Sequence, residues 1–216
     1  MQENLIYRKK NQIPFWKQCL SFLYPILIEK CNTPTYLELL LDKNQLILNS
    51  ENANQSNQNL KQAFNLVFHK LGIYNKKLDK LLLLGLGLGS IIELLQSKGS
   101  LKRVVAYENS EQVLNWVSKY YEINHVEIRN QSAYEVIALN EKFDLIVIDL
   151  FIDNSMPEFL QDINYWYHLK SRLKPNGIII WNTLINQPTT TSIEIGKLFD
   201  RNVEVMGMNR MWVYEN

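Results

Sequence analysis

Apolar positions along this chain change their period several times, and the changes divide it into elements. Leu81-Leu82-Leu83-Leu84 is a continuous apolar run, which predicts a strand buried on both faces, as in the middle of a parallel sheet. Glycines at alternate positions follow, and then Ser90 is placed to cap a helix outlined by Ile91, Leu94 and Leu95. Strand and helix patterns then alternate. Arg103 to Glu108 predicts a second strand, Ser110 to Tyr120 a helix, Val126 to Ile128 a third strand, and Ala133 to Leu139 a short helix. Phe143 to Asp149 predicts a fourth, strongly apolar strand. Met156 to Leu173 reads as one long helix with Phe159, Leu160, Ile163, Trp166, Leu169 and Leu173 inward. Pro175-Asn176-Gly177 turns into a strand at Ile178 to Trp181, and a helix is expected near Ile193 to Phe199. Val203 to Met206 and Met211 to Tyr214 close the chain as an antiparallel pair.

Upstream the pattern is different. Residues 1–14 are polar and read as loose. Phe15, Trp16, Cys19, Leu20 and Leu23 suit one face of a short helix that Pro25 stops. Ile26 to Cys31, Tyr36 to Leu41 and Leu46 to Leu48 predict a small antiparallel unit, with turns at Asn32-Thr33-Pro34 and Asp42 to Gln45. Asn49 to Asn59, rich in Asn, Gln and Ser, reads as a surface loop, and a helix through Leu60, Phe64, Val67, Phe68 and Leu71 ends at Gly72. The expected organisation is a small N-terminal helix and β unit over 1–52 and one α/β domain over 53–216. That domain is predicted as a doubly wound, mostly parallel seven-stranded sheet whose C-terminal hairpin adds an antiparallel edge.

Composition narrows the function classes. The 216 residues are 46% hydrophobic and 21% charged, with a net charge of +1, so no global attraction for nucleic acid or anionic membrane is expected. Apolar runs are too short or too polar to cross a bilayer. Cys19 and Cys31 have no metal-ligand spacing and form no disulfide framework, and no signal peptide is evident, so a cytoplasmic protein without a metal is expected.

The chemistry concentrates where the central strand meets the glycines. Gly85, Leu86, Gly87 and Gly89 form a loop over which a ligand can approach bare backbone. A nicotinamide fingerprint needs a third glycine at position 90, where Ser90 stands. Gly-x-Gly-x-Gly suits S-adenosylmethionine, which has no pyrophosphate to cradle. Glu108 lies about 20 residues past the loop, at a strand end where an acid accepts hydrogen bonds from ribose hydroxyls; its plainer reading is a solvated strand-end residue. Asp149 ends the fourth strand, where ligands bind in open α/β sheets. It is the candidate catalytic base, against the alternative of a helix cap. Asp153 follows on the next loop, and Trp181 and Asn182 end the next strand, where Trp181 either lines the same crevice or joins the core.

On these residues the chain resembles the spermidine synthase-like superfamily, polyamine aminopropyltransferases and their orphan relatives, within the class I methyltransferase variant of the Rossmann-like fold. The resemblance runs from about Ile26 to the C-terminus. It rests on the Leu39 to Leu46 hairpin, the Gly loop, Glu108, Ile148-Asp149-Leu150-Phe151 and Met156-Pro157-Glu158-Phe159-Leu160. It implies that Glu108 holds the nucleoside ribose, that Asp149 is the base on an acceptor amine, and that Ser132 and Ala133 face the adenine. The implied cofactor is S-adenosylmethionine or a derivative, decarboxylated S-adenosylmethionine or methylthioadenosine. The implied partners are a small-molecule substrate, an amine among the candidates, and a second copy of the chain, with the N-terminal strands and Tyr165, Trp166 and Tyr167 as candidate interface.

The departures from the family are specific. Leu88 replaces the Asp of Gly-Gly-Gly-Asp-Gly-Gly, Gln131-Ser132-Ala133 replaces Gly-Asp-Ala, no Tyr-His-Glu triplet occurs near Leu60 to Ala63, and the second acid falls one residue late at Asp153. Loss of the acid at Leu88 removes a charge-assisted contact to an aminopropyl group. The expected activity is therefore a methyltransferase-like transferase of unassigned substrate, with aminopropyl transfer and a non-catalytic homologue as alternatives.

Overall fold

The computed structural model describes residues 5–9, 11–33, 35–51, 54–56, 58–97, 101–151, 155–184, 195–204 and 209–216. Its centre is a seven-stranded sheet. In chain order these strands are β6 (Lys80–Leu84), β7 (Arg103–Glu108), β9 (Val126–Asn130), β10 (Phe143–Ile148), β11 (Leu173–Leu184), β12 (Arg201–Glu204) and β13 (Asn209–Glu215). They lie side by side as β12-β13-β11-β10-β6-β7-β9. The five from β11 to β9 are parallel, and β13 and β12 add the antiparallel edge that the C-terminal hairpin predicts. Leu81, Leu82, Leu83 and Leu84 are all fully buried, as a strand covered on both faces requires.

Two apolar layers cover the sheet. On one face, Leu81, Leu83, Val104, Ala106, Leu145, Val147 and Ile180 meet α2 (Gln58–Lys70), α3 (Ser90–Gln96) and α4 (Glu111–Tyr120). On the other, Leu82, Leu84, Ile146, Ile148 and Ile179 meet an aromatic cluster around α5 (Ile163–Ser171). In that cluster Trp166 packs 4.6 Å from Trp181 and 5.2 Å from Phe199, centroid to centroid. Tyr165 and Trp166 are therefore core residues, and of the three aromatics expected at an interface only Tyr167 is exposed.

A second sheet precedes the main one. β2 (Ile26–Cys31), β3 (Leu37–Asp42), β4 (Gln45–Ser50) and β5 (Asn54–Ser56) pair in that order, all antiparallel. Lys43 and Asn44 both have positive φ, as the tight hairpin turn between β3 and β4 demands. Glu29 ties this sheet to α4, accepting hydrogen bonds from Trp116 Nε1 (3.0 Å), Lys119 Nζ (2.6 Å) and Tyr120 OH.

Several expectations change. Residues 5–9 are not loose: Leu5 and Ile6 are buried, and β1 (Ile6–Arg8) pairs with β8 (Tyr121–Ile123) just after α4. Part of the Asn/Gln-rich loop is strand β5, which carries the N-terminal sheet beyond residue 52. Ser90 is the first helical residue, so the cap position of α3 falls to Gly89, which has no side chain to offer. The long helix breaks at Asp162, whose carboxylate caps α5 by accepting from Asn164 N (2.9 Å), with a 3-10 turn at Glu158–Gln161 before it. The first helix, α1 (Phe15–Leu20), buries none of its residues. The helix expected over Ile193 to Phe199 falls partly outside the described residues, although Ile195 and Phe199 are buried.

Candidate functional site

The Gly loop alternates anchors and bare backbone. Leu86 and Leu88 are buried, at 4% and 2% exposure, and hold the loop against the core. The glycines between them do different jobs. A Cβ added to Gly85 would stand 2.1 Å from the carbonyl oxygen of Asp149, so the residue lets the ends of β6 and β10 close on each other. The backbone pins this junction through Asp149 N–H to Leu84 O (2.8 Å) and Gly85 N–H to Tyr107 O (3.0 Å). A Cβ on Gly89 would meet Ile6 Cδ1 at 2.3 Å, so that glycine admits β1. Only Gly87, with φ +51°, turns its missing side chain toward open space.

Side-chain alternation places the acids on one face. Counting by two from Leu83, Ala106, Val147 and Ile180 brings Gly85, Glu108, Asp149 and Asn182 to the C-terminal ends of neighbouring strands. Glu108 accepts from Gly87 N (3.1 Å) and Ser110 N (3.0 Å), joining the Gly loop to the start of α4. Burial raises its pKa above the ordinary 4.5, against the lowering effect of those backbone N–H groups. Ser110 itself caps α4 by accepting from Val113 N (3.3 Å).

Asp149 is partly buried, and burial pushes its pKa up to about 6, with the charge of Glu108 adding to the rise. Asn182 Nδ2 donates to Asp149 Oδ1 at 2.9 Å and opposes it. Asn182 Oδ1 in turn accepts from Asn209 Nδ2, also at 2.9 Å. No partner engages Asp149 Oδ2 among the described residues.

The opposite end of the sheet shows what structural acids look like in this protein. There Glu141 pairs with Lys80 (2.8 Å) and Arg103 (3.0 Å), and Asp144 pairs with Lys174 (2.7 Å). Lys80 and Arg103 hold the Glu141 carboxyl below its ordinary pKa. Glu108 and Asp149 have no cation partner among the described residues. These two partly buried carboxylates, at strand ends and without a cation partner among the described residues, are the candidate site.

The remaining predicted residues are spread around this pair. Ser132 caps a 3-10 turn, its Oγ accepting from Tyr134 N (3.2 Å). Ala133 is buried, and its carbonyl accepts from Tyr165 OH (3.0 Å). Trp181 belongs to the core and not to the crevice face: it is 2% exposed and packs on Trp166, and its indole N–H is a buried donor without an acceptor. Asp153 lies outside the described residues. Asn209 was not among the predicted site residues; it reaches the site only through the β11–β13 register, which sets Leu184 opposite Asn209. Among the described residues no group of three or more His, Cys, Asp or Glu is placed to hold a metal, and no helix is long and apolar enough to cross a membrane.

No family model and no curated protein matches this sequence. Solved structures do match the fold. A spermidine synthase in complex with the transition-state analogue AdoDATO superposes with a TM-score of 0.66 at 14% identity, over 88% of this chain and 73% of that one. A probable spermidine synthase from Corynebacterium glutamicum gives 0.66 at 13% identity, over 88% and 79%. The N-methyltransferase NodS from Bradyrhizobium japonicum, bound to S-adenosyl-L-homocysteine, gives 0.56 at 13% identity, over 77% and 93%. The chain therefore has the spermidine synthase-like form of the class I methyltransferase fold. A match over 88% exceeds what the chain from α2 onward supplies, so it takes in residues upstream of α2 as well.

Proposed function

We propose that this protein is an S-adenosylmethionine-dependent transferase acting on a small-molecule acceptor with a nucleophilic nitrogen. One observation carries the reading: Glu108 and Asp149, both without a cation partner among the described residues, end the two strands on either side of β6, from which the Gly loop leaves, and Glu108 accepts from the bare Gly87 N–H. Solved relatives of the fold bind S-adenosyl-L-homocysteine and AdoDATO, which supports a related ligand here. The chain's residues fit that group. Gly87 leaves room over the loop, and the Glu108 carboxylate has acceptor capacity for ribose hydroxyls besides its bonds from Gly87 and Ser110 N–H; Ser132 and Ala133 are assigned to the adenine by the family resemblance alone. Bound there, S-adenosylmethionine supplies an electrophilic carbon beside its sulfonium.

Asp149 does the proton work. With a pKa near 6 it is ionised at neutral pH, and its Oδ2 accepts the proton that an amine sheds as it attacks. Asn182 holds the other oxygen, so the carboxylate is oriented before an acceptor arrives. A cytoplasmic location belongs to the same proposal, since Cys19 and Cys31 are free thiols. Isothermal titration with S-adenosylmethionine and S-adenosylhomocysteine tests the reading; absence of heat from both at millimolar ligand refutes it.

A second reading, aminopropyl transfer from decarboxylated S-adenosylmethionine, is favoured by the spermidine synthase matches, which extend upstream of α2. Leu88 weighs against it, because a buried leucine offers a charged aminopropyl group nothing to bind. Release of methylthioadenosine from decarboxylated S-adenosylmethionine and putrescine decides between the two.

A further inference from the structure

Beside the edge strand β9 lies a cavity that the crevice chemistry does not use. Its volume is about 440 Å³, it is walled by α4, β8, β9 and Lys9, and none of Gly87, Glu108 and Asp149 lines it. Ligand pockets begin at about 300 Å³, so a small molecule fits. The floor is aliphatic, made by Leu114, Val117, Ile123 and Ile128. One wall is the β1–β8 ribbon, and that ribbon is fastened to α3: Ile6 N–H donates to Gln96 Oε1 (2.9 Å) and Gln96 Nε2 donates to Ile6 O (2.6 Å). Lys9 N–H continues the ladder to Tyr120 O (2.8 Å), and its ammonium donates to Ser118 O (2.7 Å) in the last turn of α4. The Lys9 head group is thereby held at the rim of the cavity.

We propose that this cavity is a second ligand site and takes a free α-amino acid with an aliphatic or thioether side chain. Charge is the first argument. Lys9 and Glu122, of opposite sign, both line the cavity. Strand register places them: Tyr7 lies opposite Glu122, and Lys9, two residues on, emerges on the same side of the ribbon. Such diagonal neighbours stand about 7–8 Å apart, and no ion pair joins these two among the described residues. A zwitterion satisfies both. Its carboxylate meets the Lys9 ammonium, which keeps two of its three N–H groups after bonding Ser118 O, and its ammonium meets the Glu122 carboxylate. Unspent hydrogen bonding is the second argument. Glu93, Glu127 and Glu141 are each paired with a lysine or an arginine, whereas the side chains of Glu122 and Asn130 have no partner among the described residues. Shape is the third: the four aliphatic residues of the floor suit a branched or thioether chain and offer a polar one nothing. A phosphate-bearing ligand is a poorer match, because Glu122 would oppose its charge.

Methyl NMR on the full chain with L-leucine and L-methionine tests the assignment. Either amino acid at millimolar concentration should shift the methyl signals of Leu114, Val117, Ile123 and Ile128. Isocaproate, which lacks the ammonium group, and isopentylamine, which lacks the carboxylate, should bind about 10-fold more weakly or worse, each having lost one charge-assisted contact. Glu122→Gln and Lys9→Gln should weaken L-leucine by a similar factor, and Glu122→Gln should keep its melting temperature because that side chain is exposed. Should Lys9→Gln fail to fold, Glu122→Gln and the ligand series decide alone. Absence of methyl shifts with both amino acids overturns the proposal, as does unchanged affinity in the Glu122→Gln protein. Isocaproate binding as tightly as L-leucine also overturns it and assigns the cavity to an apolar acid. Shifts confined to the amides of Gly85 to Gly89 overturn it by moving the amino acid to the crevice.

Discussion

Asn182 donates to Asp149 and cannot do otherwise without disturbing Asn209. Its Oδ1 is taken by Asn209 Nδ2, so its amide N–H must face Asp149 Oδ1, each contact being 2.9 Å. The arrangement favours the ionised carboxylate, because a carboxylate accepts and a protonated oxygen would want to donate. Removing the donor should therefore raise the Asp149 pKa above its present value near 6. Asn182→Ala is expected to show this as an upward shift of the Asp149 carboxyl titration followed by carbon-13 NMR. Asn209→Leu should move it the same way by a smaller amount, because the Asn182 amide is then free to turn. An unmoved titration in both variants would mean that the chain of amides does not set the charge state.

Asp149 also makes stability depend on pH. Its native pKa near 6 stands above the ordinary 3.8, so the folded state binds the extra proton between those values. The associated stability is fully present below about pH 4 and is lost as pH rises through 6. Asp149→Asn should thus raise the melting temperature at pH 8 and leave it nearly unchanged at pH 4. A gain of about 1–2 kcal/mol corresponds to several degrees for a chain of this size. Thermal unfolding at the two pH values checks it, and an equal shift at both would remove the titration from the explanation.

Gly85 and Gly87 separate folding from binding. At Gly85 alanine would bring Cβ to 2.1 Å from Asp149 O, at φ +92°. The expected result is loss of about 3 kcal/mol or more, or no folded protein. At Gly87 there is nothing within 4 Å of an added Cβ, so alanine costs only about 1–2 kcal/mol of left-handed strain. Gly87→Ala should stay folded and lose affinity for S-adenosylhomocysteine. Calorimetry and thermal unfolding on both variants distinguish the roles, and a Gly87→Ala protein that binds normally would place the ligand elsewhere.

Glu108 should behave as both a ligand acceptor and a brace. Gly87 N–H and Ser110 N–H go to different oxygens of Glu108, so Glu108→Gln keeps an acceptor for only one of them and loses the charge that ribose hydroxyls would meet. Hydrogen bonds to a charged group contribute about 1.5–3 kcal/mol, so affinity for S-adenosylhomocysteine should fall about 10- to 100-fold, and the melting temperature should fall as well because one backbone N–H loses its acceptor. Unchanged affinity would leave Glu108 as a brace alone.

Much of this site was legible in the sequence because it lies where continuous apolar strands end. Leu81 to Leu84 and Phe143 to Ile148 can hardly be anything but central strands, and that places Gly85 and Asp149 at one crevice. What escaped depends on partners distant in sequence. β1 and β8 are three residues each, too short to show a period, and they exist because each supplies the other's hydrogen bonds. Asn209 joins Asn182 only through an antiparallel register that no local pattern encodes. The helical spacing of Phe15, Trp16 and Leu23 was visible, but spacing says which residues share a face and not whether the chain covers that face. Trp181 shows the converse: its position at a strand end suggested the crevice, while strand alternation turns it into the aromatic core.

Leu88 offers the sharpest contrast between methyl and aminopropyl chemistry. Its side chain is 2% exposed and lies in the same buried cluster as Leu86, Ile91 and Ile6. An acid there would put a carboxylate into an apolar layer, at a cost of about 3 kcal/mol or more. Leu88→Asp is therefore expected to lower the melting temperature by roughly 6–12 °C and to release no methylthioadenosine from decarboxylated S-adenosylmethionine and putrescine. The loop rests on an apolar anchor at this position, so one substitution does not give it an accessible acid. A Leu88→Asp protein of near wild-type stability that makes methylthioadenosine would show the opposite: the acid position had stayed open to the crevice, and this one side chain had separated the two chemistries.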